Sequence, residues 1–305
     1  MTERTETFLS DGLMLQGTLL APDEPAGIAV LVSGSGPIDR NSDHKRMPLG
    51  VMRLLAESLR STGWASLRYD KRGAGASEGD YWTAGLHDNI ADARAAARHA
   101  RSLVDGPVVV VGHSEGALIA TDLAQDASLV DGAILLSGMA GTGEQTLRWQ
   151  ALALEPEIPG VARMLMRLMR TSVAKQQDKQ LAKLAASTKD TYRVQLVSKV
   201  NAKWFRELLA YDAAPALERA AVPILALTGS KDVQVNPDDL TRMTELAPGR
   251  LTTALVSDVD HILRHQPAVR SSPRAYKQQT SHPLDPRVVE QVTSWLSALS
   301  ATTAR

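Results

Sequence analysis

Hydrophobic and polar positions along this chain form two patterns that alternate. Short apolar runs typical of buried strands are separated by longer segments whose apolar residues recur at the three- and four-residue spacing of an amphipathic helix. The runs predicted as strands are 5–9, 13–20, 27–32, 64–69, 107–111, 133–136, 222–228 and 251–256. The segments predicted as helices are 49–62, 87–103, 117–127, 237–246 and 286–299. Strands that alternate with helices predict an α/β fold with a parallel, doubly wound sheet.

The alternation stops in the middle of the chain. From about residue 141 to residue 212 no convincing strand pattern is present, and three stretches there have helical patterns: 161–169, 175–187 and 192–209. This predicts a core domain made of residues 1–140 and 213–305, with residues 141–212 as a helical cap inserted into it. Near the end of the chain, 264–282 is predicted to be a polar loop and 300–305 a frayed tail.

A methionine-rich stripe in the predicted insertion has two interpretations. Met164, Met166 and Met169 could be ordinary core residues. They could instead form an adaptable lid over an apolar acyl group, because methionine fills irregular space well. Under the second interpretation, Met164 and Met169 are candidate substrate-binding residues.

Composition excludes several classes of protein. Lys and Arg total 34, and Asp and Glu also total 34, so no net field favours nucleic acid or an anionic membrane as a partner. Cysteine is absent, which excludes disulfides, thiolate metal sites and a cysteine nucleophile. The histidines lack metal-ligand spacing, so no metal is expected. No apolar signal core or membrane-length apolar run is present, and the sequence predicts a soluble cytoplasmic protein.

The strongest chemical motif follows the strand predicted at 107–111. Residues 112–116 have the sequence Gly-His-Ser-Glu-Gly, and a helical pattern comes directly after them. A strand, a Gly-x-Ser-x-Gly turn and a helix form a nucleophile elbow, in which crowding requires small residues two positions either side of the serine. Ser114 is therefore the predicted nucleophile. The alternative is a serine that only caps the helix.

A serine hydroxyl needs a base, and the base needs a carboxylate that holds it. With this elbow the expected chain order is serine, acid, histidine. Asp232 directly follows the strand predicted at 222–228, where catalytic groups of parallel sheets gather. His261 lies in the loop after the strand at 251–256 and is the predicted base. The weaker alternatives are Asp258 and Asp260 for the acid, and His265 and His282 for the base.

The oxyanion hole requires backbone N–H groups directed at the developing negative charge. One is predicted from Glu115, the residue after the nucleophile, and the second from the loop after the strand at 27–32. That loop begins Ser33-Gly34-Ser35-Gly36. Ser35 is the predicted donor, and Gly34 and Gly36 are alternatives and candidate substrate-binding positions. The loop lacks the spacing of phosphate-binding motifs, which disfavours nucleotide binding.

The elbow, Asp232 and His261 together resemble the α/β-hydrolase superfamily. Residues 33–41 and 69–77 resemble a subgroup of bacterial serine esterases and acyl-peptidase-like hydrolases. The resemblance implies a central sheet of eight strands, a helical cap over the pocket, and hydrolysis without a cofactor. The family's oxyanion loop often carries His-Gly where this chain has Ser33-Gly34, and this departure makes the second donor harder to assign.

The resemblance implies a serine hydrolase, first of all a carboxylesterase that cleaves short to medium acyl esters through an acyl-enzyme. Its partner is then a small-molecule ester. A peptidase or amidase, a thioesterase and an acyltransferase would use the same triad, and a non-catalytic small-molecule-binding member of the fold is a further alternative. Four charged residues flank the predicted site and are interpreted as structural ion pairs and loop anchors: Asp39, Arg40, Asp70 and Arg72. Arg40 or Arg72 could alternatively bind a substrate carboxylate.

Overall fold

The computed structural model describes residues 2–169, 171–194 and 198–303. Its strands are β1 (Thr2–Ser10), β2 (Leu13–Ala21), β3 (Ile28–Val32), β4 (Asp43–His44), β5 (Met47–Pro48), β6 (Ala65–Tyr69), β7 (Val108–His113), β8 (Gly132–Leu136), β9 (Thr191–Val194), β10 (Ser198–Asn201), β11 (Ile224–Gly229) and β12 (Leu251–Val256). Eight of them form one sheet in the order β1-β2-β6-β3-β7-β8-β11-β12. Pairing is antiparallel between β1 and β2 and between β2 and β6, and parallel across the rest. The predicted mostly parallel sheet of eight strands is confirmed.

The helices are α1 (Val51–Ser61), α2 (Leu86–Arg101), α3 (Glu115–Leu123), α4 (Gly143–Leu154), α5 (Gly160–Leu168), α6 (Val173–Ala186), α7 (Ala202–Ala210), α8 (Ala214–Glu218), α9 (Asp239–Leu246), α10 (Tyr276–Gln279) and α11 (Pro286–Thr303). Helices cover both faces of the sheet, so the central strands β3, β7 and β8 are buried at every position and are mostly apolar. In β7, Val108 and Val110 pack into the core beneath α2 and α3, whereas Val109 and Val111 pack beneath α1 and α11. This doubly wound arrangement presents the carboxyl end of β7 at one edge of the sheet.

Helix α1 shows how the sequence pattern determines packing. Its buried residues recur at helical spacing and lie on one face: Val51, Met52, Leu55, Ala56 and Leu59. The helix ends just before Gly63, which has φ 86°, a left-handed conformation that glycine adopts with little strain. The chain then enters β6 at the centre of the sheet.

The insertion differs from the sequence prediction in two respects. Helix α4 was not among the predicted helices. In addition, β9 and β10 form an antiparallel pair of their own, although no strand among the described residues between β8 and β11 joins the eight-stranded sheet. The helix predicted over 192–209 is therefore wrong in its first half and correct only for α7. Thr191, Tyr192 and Val200 are β-branched or aromatic residues that favour extended backbone. Part of the predicted helix, residues 195–197, lies outside the described residues.

Two further boundaries differ near the C-terminal end. The polar loop predicted over 264–282 contains the short helix α10, which follows a 3-10 turn at Pro273–Ala275, where proline supports a helical start. Helix α11 continues to Thr303 rather than fraying from residue 300, and residues 304–305 lie outside the described part. Within the described ranges, no helix is both long and apolar enough to cross a membrane.

The methionine stripe does not belong to the core. Met164 on α5 and Met169 just after it are 68% and 67% exposed, so the interpretation of these two as core residues is wrong. Helix α5 places apolar side chains on a surface rather than against the sheet. The division into a core domain and a cap of residues 141–212 stays a prediction.

Candidate active site

Ser114 lies on a strained bend between β7 and α3. Its backbone has φ 58° and ψ −116°, a conformation that non-glycine residues rarely adopt and that costs on the order of 1–3 kcal/mol. The Ser114 N–H donates to the carbonyl of Leu136 on β8 at 2.9 Å. A Cβ on Gly112 would lie 1.8 Å from the Gly116 oxygen, and one on Gly116 would lie 2.0 Å from the Val32 oxygen. The close approach of these backbones therefore explains both glycines of the motif.

The structure brings Asp232 and His261 together. Asp232 follows β11 and His261 follows β12, and both side chains are buried. His261 Nδ1 lies 2.8 Å from Oδ2 and 3.0 Å from Oδ1 of Asp232. Oδ1 also accepts hydrogen bonds from the backbone N–H groups of Gln234 at 2.8 Å and Val235 at 2.9 Å.

These contacts determine the charge of the acid. Burial acts to raise the pKa of the Asp232 carboxyl, but the charge and hydrogen bond of His261, together with the two backbone N–H groups, lower it below its ordinary value. The ionised carboxylate of Asp232 accepts a hydrogen bond from Nδ1–H of His261. This leaves Nε2 as the nitrogen that can act as a base.

His113 links the bend to the histidine loop. Its Nε2 lies 2.7 Å from the carbonyl oxygen of His261, and the two imidazole rings are 4.9 Å apart at their centroids. Burial is the main cause that lowers the pKa of His113 to about 3, so its imidazole is neutral and its Nε2–H donates to that carbonyl. The residue before Ser114 therefore helps to position the loop that carries His261.

The alternative acids have other partners. Asp258 forms an ion pair with Lys231 at 2.7 Å. Asp260 Oδ1 accepts hydrogen bonds from the backbone N–H groups of Ile262 and Arg264. Both alternative carboxylates therefore contact residues near them in the chain or on the neighbouring loop, whereas Asp232 forms the hydrogen bond with the imidazole of His261.

The oxyanion loop lies beside Ser114. A Cβ built on Gly34 would be 3.4 Å from Ser114 Cβ, and Ser35 lines the same cavity as Ser114 and Glu115. Among the described residues, the backbone N–H groups of Ser35 and Glu115 have no protein acceptor. Gly36 lines a separate small cavity together with Lys71, Arg72 and Glu115.

A buried polar network next to the elbow escaped the sequence analysis, which considered only the backbone of Glu115. Lys71 Nζ donates to Oε2 of Glu115 at 3.1 Å and to the carbonyl oxygen of Gly34 at 2.7 Å. Oε1 of Glu115 accepts hydrogen bonds from Asn89 at 2.7 Å and from the Trp204 indole at 3.1 Å. The available signal was the glutamate that directly follows the predicted nucleophile, because a buried carboxylate requires partners.

The cavity at Ser114 has a volume of about 90 Å³. Its apolar lining residues are Leu118, Met139, Leu147, Leu208 and Val235, and its remaining lining residues are Ser35, Ser114, Glu115, Thr146, Gln150, Trp204 and Gln234. Helices α4 and α7 of the inserted segment therefore form one wall of the cavity. Met164 and Met169 are not among its lining residues in the described part of the chain.

The flanking charges form ion pairs with each other or with neighbouring elements. Arg40 pairs with Asp70 at 2.6 Å, and Arg72 pairs with Asp92, also at 2.6 Å. Asp39 accepts hydrogen bonds from backbone N–H groups of its own loop. Within the described residues, no three His, Asp or Glu side chains are grouped in a way that could hold a metal ion.

Comparisons with known proteins identify the family and the fold of this chain. A family model described as serine aminopeptidase, S33 (Hydrolase_4) matches residues 48–266, more than half of the chain. The chain belongs to this family of hydrolases. Esterase EstD of Thermotoga maritima is 26% identical over 295 residues, which is 94% of this chain and 66% of the relative. This chain therefore spans slightly less than two thirds of the length of that relative.

Solved structures show the fold of this S33 family member. Est1E from Butyrivibrio proteoclasticus, with ferulic acid bound, matches with a TM-score of 0.65 at 17% identity, covering 97% of this chain and 99% of that one. The proline iminopeptidase of Mycobacterium smegmatis matches with a TM-score of 0.66 at 12% identity, covering 98% and 100%. The predicted α/β-hydrolase fold is confirmed.

Proposed function

We propose that this protein is a serine esterase that cleaves short acyl esters through an acyl-enzyme intermediate. One observation carries the proposal: the buried Asp232–His261 pair is joined through His113 to the strained bend that presents Ser114. The esterase among its relatives supports the same reaction.

In the proposed mechanism, Ser114 Oγ attacks the ester carbonyl carbon while Nε2 of His261 takes the hydroxyl proton. Asp232 stabilises the imidazolium that forms. The Glu115 and Ser35 N–H groups bind the oxyanion, which is the largest electrostatic contribution in such sites. The imidazolium then protonates the leaving alcohol, and water releases the acid by the reverse sequence of proton transfers.

The cavity favours an ester over an aminopeptidase substrate. An aminopeptidase must bind the charged α-amino group of its substrate, and a free carboxylate is the ordinary partner for an ammonium ion. Glu115 is the one carboxylate among the described lining residues. Its oxygens are already occupied by Lys71, Asn89 and Trp204. A neutral ester avoids this requirement.

The size and cover of the cavity suggest which esters bind. A dry apolar cavity of roughly 150 Å³ holds benzene, and the cavity here measures about 90 Å³. An acyl chain of a few carbons suits this space. We assign residues 141–212 as a cap over the core formed by 1–140 and 213–305, because α4 and α7 supply cavity-lining residues. A cytoplasmic location stays a prediction.

Labelling with a fluorophosphonate probe tests the proposal. The wild type should be labelled and should hydrolyse p-nitrophenyl acetate, and Ser114→Ala should do neither. Ser137→Ala is a matched control, because Ser137 directly follows β8 with φ 53° and its N–H donates to the Leu227 carbonyl at 2.8 Å. This variant should still be labelled.

The remaining alternatives give different outcomes with the same protein. A wild type without labelling or turnover would indicate a non-catalytic binding protein. Faster turnover of an aminoacyl anilide or of a thioester than of the matched oxygen ester would indicate an amidase or a thioesterase. Transfer of the acyl group to an added alcohol in preference to water would indicate an acyltransferase.

A further inference from the structure

The buried ammonium group of Lys71 lies behind the oxyanion loop. Lys71 follows β6 by two residues, and its side chain is 6% exposed. Its Nζ donates to the carbonyl oxygen of Gly34 at 2.7 Å, the shorter of its two hydrogen bonds. A hydrogen bond from a buried charged donor is about twice as strong as a neutral one, so this contact determines where the carbonyl points.

The direction of that carbonyl also determines the direction of the next amide. A trans peptide unit is planar, and its C=O and N–H groups point in opposite directions. Because the Gly34 carbonyl is bonded to Lys71, the Ser35 N–H faces away from Lys71. Ser35 lines the cavity that contains Ser114, and its N–H has no protein acceptor among the described residues. An N–H group that is free of protein acceptors and lies at the cavity of the nucleophile is available as an oxyanion donor.

Glu115 gives Lys71 its second contact. Its carboxylate neutralises the buried ammonium group, and Asn89 and Trp204 satisfy its other oxygen. Such compensation is required, because an unpaired buried charge is strongly destabilising. The backbone of Glu115 is also the other proposed oxyanion donor. The Lys71 side chain therefore contacts the Gly34–Ser35 peptide unit, which carries the first donor N–H. It also contacts Glu115, whose backbone N–H is the second donor.

We propose that Lys71 is a positioning residue that aligns both N–H donors of the oxyanion hole by bridging Gly34 and Glu115. This inference rests on the proposed esterase function. It assigns Lys71 no contact with substrate. Its effect is confined to the transition state, in which the oxyanion exists.

Replacing Lys71 with methionine keeps the length of the side chain and removes its hydrogen bonds. We expect Lys71→Met to lower kcat about 10- to 100-fold on p-nitrophenyl acetate, less than the roughly 100- to 1,000-fold that loss of an oxyanion donor produces. KM should change less than about threefold, because ground-state binding does not use the oxyanion. Lys71→Arg should recover part of kcat.

An inhibitor separates alignment from a general structural defect. A trifluoromethyl ketone adds to a catalytic serine and forms an oxyanion. Its inhibition constant should rise by about the factor by which kcat falls. A variant that is only less stable would show unchanged inhibition per folded molecule.

Two double variants keep the test independent of folding. Lys71→Met leaves Glu115 buried without a counter-charge, whereas Lys71→Met/Glu115→Gln removes both charges and should fold with kcat still reduced. Arg72→Met/Asp92→Asn is the matched control. This control removes the similarly buried ion pair between Arg72, the residue after Lys71, and Asp92. Arg72 forms ion pairs with carboxylates of α2 and of the β1–β2 turn. This control should melt at a lower temperature with kcat within about threefold of wild type.

The outcomes are distinct. Full kcat in Lys71→Met/Glu115→Gln would overturn the role of Lys71 and leave the esterase assignment intact. An equal loss of kcat in both double variants would also overturn the role of Lys71, because the loss of any buried ion pair would then lower kcat. A wild type with no ester turnover and no fluorophosphonate labelling would overturn the proposed function, and this inference with it.

Discussion

His113 donates its Nε2–H to the backbone carbonyl of His261 across 2.7 Å, so two histidines 148 positions apart form a direct contact. One belongs to the serine bend and the other is the proposed base. The contact requires a proton on Nε2 of His113. The low pKa of His113, about 3 and caused mainly by burial, keeps the imidazole neutral at physiological pH, with its single proton on Nε2.

Burial of neutral His113 makes the stability of the protein depend on pH. The unfolded chain binds a proton at this imidazole below its ordinary value of 6.5, whereas the folded chain does so only below about 3. The contribution of this residue is therefore full above pH 6.5 and is lost as the pH falls from 6.5 to about 3, at up to about 1.4 kcal/mol per pH unit. His113→Gln keeps a donor without titrating, and its unfolding free energy should fall less steeply over this window.

Denaturant unfolding at several pH values measures this slope. His87→Gln is the control, because it removes an exposed imidazole and should leave the slope of the wild type unchanged. Identical slopes for wild type and His113→Gln would contradict a neutral, buried His113.

Asp232→Asn should lower kcat about 10⁴-fold, less than the roughly 10⁶-fold loss expected for Ser114→Ala. The amide cannot stabilise the imidazolium and disturbs the tautomer of His261, whereas loss of the hydroxyl removes the nucleophile. Ester turnover measured under saturating substrate tests this order. Asp258 pairs with Lys231, so Asp258→Asn should retain the kcat of the wild type. An unchanged kcat in Asp232→Asn would show that another residue is the acid of the triad.

Leu147→Ala should shift the acyl preference towards longer chains. Leu147 lines the cavity from α4, and its truncation makes room for additional methylene groups, each worth about 10- to 200-fold in selectivity. The ratio of kcat/KM for p-nitrophenyl hexanoate over acetate should rise about tenfold or more. Leu152→Ala on the same helix removes a side chain that is 56% exposed and does not line the cavity, and it should leave this ratio unchanged.

Gly116→Ala should abolish activity and lower the melting temperature. A methyl group there would lie 2.0 Å from the Val32 oxygen, so the bend and β3 would have to separate. Gly160→Ala is the control, because its Cβ would have no atom within 4 Å and its φ is not positive. It should match or exceed the stability of the wild type, by up to about 1 kcal/mol in thermal or denaturant unfolding.

The sequence pattern predicted the elements that bury apolar residues at regular spacing. Hydrophobic period located the eight strands, and the family resemblance implied that they form one sheet. The chain order expected with the serine elbow was sufficient to predict the pairing of Asp232 with His261. The β9–β10 pair was missed because its four-residue strands are too short to show a period. The Lys71–Glu115–Trp204 network was missed because no spacing rule relates residues that meet only when β6, α3 and α7 pack together.

Five of the twelve residues that line the cavity come from a segment whose described residues add no strand to the central sheet. Under the proposed function, the triad residues and part of the wall that selects the acyl group therefore lie in separate stretches of chain. Variants with exchanged or altered inserted helices can therefore change their substrate preference while the triad residues stay the same. Directed evolution of this scaffold should accordingly begin with α4 and α7.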